Sequence, residues 1–174
     1  MLILDAPGFA AGFVQAPLAS AHLLSLIGLG LLAGCTVART SIMTLAAFAL
    51  GLSAGLGAIA SGVGETPAND VLFAAAGVCG AIAALGWAVP TWLAVPAALF
   101  IGCAVGLDSP PDAISLREAV MTLIGTGCGA VAAVALMTGA VALIRRAGWA
   151  IAVRVAGSWL AAIAMLVLVL RWWV

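Results

Sequence analysis

The stretch Phe100–Glu118, FIGCAVGLDSPPDAISLRE, separates what belongs in a membrane from what does not. Its first half, Phe100 to Leu107, is apolar, with glycines at 102 and 106. At Asp108 the character changes: Asp108, Asp112 and Glu118 are half of the six acids in the protein. Ser115 with Glu118 three residues on has the form of a capping box, in which each side chain satisfies the other residue's backbone N–H. Ser109-Pro110-Pro111-Asp112 offers a second start, with proline at the first helical position, where it costs no hydrogen bond. From either start a long apolar run follows. The stretch reads as helix end, polar turn and helix start, and the rest of the chain repeats that pattern.

Composition sets the class. Of 174 residues, 66% are hydrophobic and 7% charged, and the mean hydropathy is +1.33. A soluble domain carries roughly a quarter of its residues as charges, so this composition calls for a lipid bilayer as the main partner. A crossing helix takes about 20 apolar residues. Six such helices with short turns use the whole length as one domain, residues 1–174. The expected fold is all-α, a polytopic bundle of six transmembrane helices. Net charge is zero and lysine is absent, from which no basic patch is expected for nucleic acid or for an anionic surface. No nucleophile–base pair, phosphate loop or zinc spacing is present, and one histidine excludes a bis-histidine haem within the chain. The sequence points away from an enzyme and implies no resident cofactor.

The apolar runs place spans at about 17–37, 41–62, 71–88, 93–107, 116–144 and 149–170. Gly64-Glu65-Thr66-Pro67-Ala68-Asn69-Asp70 and Val89-Pro90-Thr91-Trp92 carry turn residues between spans. The fifth span is long enough to tilt or project. Met1–Val14 has no basic leader and too short an apolar core for a signal peptide. Trp87, Trp92, Trp149, Trp172 and Trp173 fall near span ends, as an aromatic belt does. With six spans, Arg39, Arg145 and Arg146 share one face, and Arg154 can snorkel back to it. Arg117 and Arg171 share the other. The positive-inside rule makes the first face cytoplasmic and puts both termini outside. All six acids then face outward.

Cys35, Cys79, Cys103 and Cys128 form no CxxC, and each reads as a small buried hydrophobe, a disulfide or thiolate site being the alternative. Glycines at four-residue spacing occur as Gly30/Gly34, Gly51/Gly55, Gly102/Gly106 and Gly125/Gly129. Such pairs let helix backbones approach closely in lipid, either within this bundle or against a partner.

Two segments carry a family resemblance. Phe100-Ile101-Gly102-Cys103-Ala104-Val105-Gly106-Leu107-Asp108-Ser109-Pro110 resembles the F-H-G-x-A-H-G-x-E-x-P segment of the HupE/UreJ family of nickel/cobalt permeases and accessory membrane proteins. Phe100, Gly102, Ala104, Gly106 and Pro110 are kept. Ile101 and Val105 stand in place of the histidines, and Asp108 in place of the glutamate. Residues 12–24 are similar to the family's G-F-x-H-P-L-x-G-x-D-H-L-L. Gly12, Phe13, His22, Leu23 and Leu24 match. Gln15, Ala19 and Ala21 replace histidine, glycine and aspartate, and Pro-Leu is displaced by one. An acid followed by a serine often enters the family's third span; Asn69 or Asp70 and Ala75 occupy those positions. The resemblance also implies a bacterial inner-membrane location, a signal often cleaved ahead of this point, and nickel or cobalt as a transported ion.

These segments frame the site question. On one straight helix His22 lies seven residues, or about 10 Å, inward of Gln15, and Ile101 lies seven inward of Asp108. His22 is therefore expected level with Ile101, and Gln15 level with Asp108 at the mouth. Nickel and cobalt suit imidazole and carboxylate, but His22, Gln15 and Asp108 are a sparse remnant of such a site. His22 is either a hydrogen-bonded structural histidine or a functional one, as an ionisable group within a membrane often is. Two functions follow. One is a non-catalytic accessory subunit, packed against other membrane subunits or its own copies, with the metal path filled by apolar side chains. The other is a nickel, cobalt or small-solute permease using His22, Gln15 and Asp108.

Overall fold

A computed structural model describes residues 7–18, 20–61, 68–87, 89–109 and 116–173. Asp5, Glu65, Asp112 and Ser115 lie outside the described residues, and with them both possible starts after Asp108. All regular structure among the described residues is helical: α1 (Pro7–Leu18), α2 (Ser20–Gly34), α3 (Ala38–Ala60), α4 (Asn69–Leu85), α5 (Thr91–Leu107), α6 (Leu116–Arg146) and α7 (Ala150–Trp173). Among the described residues, three helices are long and apolar enough to cross a membrane: Ala38–Ala60, Arg117–Arg146 and Ala150–Trp173. Three more, α2, α4 and α5, are apolar but shorter.

The helix ends follow local chemistry. Gly86 and Gly148 take left-handed φ values of 67° and 84°. At Gly86, Trp87 N–H donates to Ile82 O and Gly86 N–H to Ala83 O; at Gly148, Trp149 N–H donates to Ile144 O and Gly148 N–H to Arg145 O. Both are Schellman stops, in which a residue without Cβ turns the chain back on the last carbonyls.

One element was not foreseen. The sequence reading has the first span starting near Pro17, but residues 7–18 already form α1. Pro7 opens it where a missing N–H costs nothing, and Phe9 stacks on Phe13 with ring centroids 6.2 Å apart. What holds α1 is α6: a Cβ on Gly125 or Gly129 would strike the carbonyl oxygen of Phe9 or Phe13. Seventeen residues separate Phe13 from Gly30, yet only eight separate their α6 neighbours, Gly129 and Met137. At about 1.5 Å per residue, α1 and α2 therefore lie at an angle and are not one straight rod.

The bundle is built from close pairs, α3 on α5, α1 on α6 and α4 on α7, with α2 lying against both α4 and α6. Leu29, Phe48, Leu52, Leu72, Val105 and Val134 fill the space between them and are all but inaccessible. In α7 the buried residues are Val153, Gly157, Leu160 and Ala164, one stripe at helical spacing. Ile151, Trp159, Ile163 and Leu166 face outward, an apolar surface suited to lipid.

Side-chain contacts sort the helix ends into two groups. His22 at the start of α2, Ala68 and Asp70 at the start of α4, Asp108 after α5 and Arg171 at the end of α7 meet at one end. Arg145 reaches Gly34 O, Arg154 reaches Ala84 O, and Thr40 bonds Thr91 at the other. We call these the acidic end and the arginine end.

Candidate functional site

The two family-like segments meet at the acidic end. His22 lies in the first turn of α2 and is buried. Its Nε2 is 3.1 Å from Asp108 Oδ2. A carboxylate can only accept, so Nε2 carries the proton. The other carboxylate oxygen, Oδ1, accepts the backbone N–H of Ala68 at 3.3 Å. That N–H stands at the N-cap of α4, where helical donors lack internal partners and partial positive charge gathers. One carboxylate thus ties together the beginnings of α2 and α4 and the end of α5. Ser25 Oγ donates to His22 O at 2.9 Å and Ser109 Oγ to Val105 O at 2.7 Å, so neighbouring hydroxyls are spent on their own helices.

This corrects the expected depth. His22 is not level with Ile101 and remote from Asp108; it touches Asp108. The count from Gln15 assumed one straight helix, whereas α1 and α2 lie at an angle to each other. The Gln15 side chain lies outside the described part of the structure. Beneath the pair, Ile101 and Val105, at the family's histidine positions, are 3% and 0% exposed, so apolar carbon fills the space where ligands would stand. Among the described residues no group of three or more His, Cys, Asp or Glu is placed to hold a metal ion. Two donors from one imidazole and one carboxylate are fewer than the three or four that a transition ion usually takes from a protein site.

The eight glycines singled out by spacing all face neighbours within this chain. Gly51 and Gly55 of α3 meet backbone of Leu99 and Cys103, while Gly102 and Gly106 of α5 meet backbone of Phe48 and Leu52. Gly125 and Gly129 seat α1, and Gly30 and Gly34 seat Met137 and Val141 of α6. The seam between α4 and α7 was missed. There a Cβ on Gly80 would stand 2.8 Å from Gly157 O, and one on Gly157 would stand 2.7 Å from Gly80 O. The signal was present as Gly80-xxx-Ala84 and Gly157-xxx-Ala161, where alanine serves as the second small residue. All four cysteines are free thiols. Arg154 donates Nε–H to Ala84 O at 2.9 Å, reaching back to the arginine end.

The fold and this site define an all-α protein with membrane-length apolar helices. Comparison of the chain with protein-family models, curated proteins and solved structures finds no match.

Proposed function

We propose that this chain is a divergent HupE/UreJ-like protein of the bacterial inner membrane that acts as a non-catalytic accessory subunit of a larger membrane assembly. In this reading α2 to α7 are six spans, the arginine end is cytoplasmic and both termini are outside. The observation that carries it is the closed His22–Asp108–Ala68 tie. His22, which matches the family-like pattern, and Asp108, which replaces its glutamate, hold helix ends together above a plug of Ile101 and Val105. The deciding experiment is gentle purification from the native membrane, with identification of co-purifying subunits and assay of nickel and cobalt. A stoichiometric membrane partner and no metal supports the accessory role; a lone chain carrying nickel or cobalt overturns it.

One observation favours the second reading, a nickel or cobalt permease: the two family-like segments do bring an imidazole and a carboxylate into contact. On that reading the pair would open to pass the ion, and His22→Ala would abolish uptake. Uptake equal to that of the parent would eliminate this mechanism.

A further inference from the structure

The arginine end holds a cleft that the tie at the acidic end does not explain. Arg145 and Arg146 close α6, and Arg154 lies in the second turn of α7. A cavity of about 240 Å³ opens beside Cys35, Gly86, Val153, Arg145 and Arg154. A second, of about 350 Å³, opens beside Gly34, Thr36, Ser41, Arg145 and Arg146. Arg145 and Ala150 wall both, so the two adjoin as one basic cleft among the ends of α2, α4, α6 and α7.

The arginines do cap helices: Arg145 Nη1–H donates to Gly34 O at 3.2 Å and Arg154 Nε–H to Ala84 O at 2.9 Å. Each bond uses one of the five N–H groups of a guanidinium. The described acids cannot neutralise the rest, because Asp70, Asp108 and Glu118 all belong to helix ends at the opposite side of the bundle. The hydroxyls of Thr36 and Ser41 each donate to Ala33 O at 2.7 Å, which leaves anion recognition to the arginines. Leu85, Trp87, Trp149 and Ile151 are exposed around the cleft's helix ends, an apolar and aromatic rim at the depth of lipid headgroups.

We propose that this cleft binds the phosphodiester headgroup of an anionic phospholipid, with Arg145, Arg146 and Arg154 as its phosphate donors. Guanidinium forks match phosphate oxygens, and basic pockets between membrane helices select anionic headgroups. The apolar share of the wall, Ala83, Leu85, Ala150 and Val153, fits a lipid's glycerol and acyl chains and offers nothing to a free anion. The inference rests on the membrane reading and is independent of whether the chain transports metal.

The test is native mass spectrometry of the full chain in neutral detergent with added phosphatidylglycerol, phosphatidylethanolamine or inorganic phosphate. Phosphatidylglycerol is expected to bind in preference. Arg145→Gln with Arg154→Gln should weaken it at least about tenfold, and Arg117→Gln at the acidic end should leave it unchanged. Arg146→Gln disturbs neither capping bond, so it should fold even where the double variant does not, and should weaken binding several-fold. Equal binding of phosphatidylethanolamine, or full binding by the Arg146→Gln variant, overturns the proposal. Displacement of the lipid by millimolar inorganic phosphate also overturns it and assigns the cleft to a soluble anion.

Discussion

His22 and Asp108 are worth separating because they lose different things when truncated. Asp108→Ala removes two acceptors at once, leaving His22 Nε2 and the Ala68 N–H without their partner. An orphaned buried donor costs about 1–3 kcal/mol. His22→Ala leaves Asp108 with its Ala68 bond, and its side chain is still 16% exposed, so water can serve the freed oxygen. Asp108→Ala is therefore expected to destabilise more than His22→Ala, with a coupling of about 1 kcal/mol in the double-mutant cycle. Thermal unfolding in detergent measures both. Additive effects would mean the pair contributes nothing as a pair. Both residues stood out in the sequence as polar groups in apolar runs, but their contact did not. Distance along a helix was legible; the angle between α1 and α2 was not read from it, although Pro17 stands at their junction.

At the level of elements, the bundle depends on where a Cβ is impossible. A Cβ on Gly102 would strike Phe48 O, and one on Gly55 would stand 2.5 Å from Cys103 O. Neither obstacle is the tip of a flexible side chain; both are helix backbone, so α3 and α5 must move apart. Gly102→Ala is expected to cost about 1–3 kcal/mol, as overpacking does. Gly139 has nothing within 4 Å of such a Cβ. There alanine removes only backbone freedom, and Gly139→Ala should be neutral or stabilise by up to about 1 kcal/mol. Melting temperatures of the two variants should shift in opposite directions or differ clearly; equal losses would mean that the close approach of α3 and α5 is not what glycine provides. Spacing alone identified the α3 and α5 glycines as packing residues. It did not say which helices pair, because a four-residue repeat marks a face without naming its partner. α1 escaped for a related reason: Met1–Val14 was weighed only as a signal peptide, and its seat against Gly125 and Gly129 is a contact between distant parts of the chain.

For the whole molecule, direction is the property on which the functional readings depend. The contacts at the two ends make α2 to α7 alternate: Asp70 and Arg171 bond at 2.9 Å at the acidic end, while Arg145 and Arg154 reach carbonyls at the arginine end. Long apolar runs made the helices legible, because the charged residues of the described helices sit near their ends. Orientation rests on fewer groups. Arg39, Arg145, Arg146 and Arg154 against Arg117 and Arg171 is a bias of two charges, and the positive-inside rule reads it as an arginine end in the cytoplasm. Single cysteines test it in a background where Cys35, Cys79, Cys103 and Cys128 are replaced. An impermeant maleimide should label Asp70→Cys on intact spheroplasts, and label Arg146→Cys only after permeabilisation. The reverse pattern would put the His22–Asp108 tie on the cytoplasmic side, where it could not meet an incoming ion first. Labelling of both from the same side would break the alternation itself, and with it the six-span reading on which the accessory and permease roles both stand.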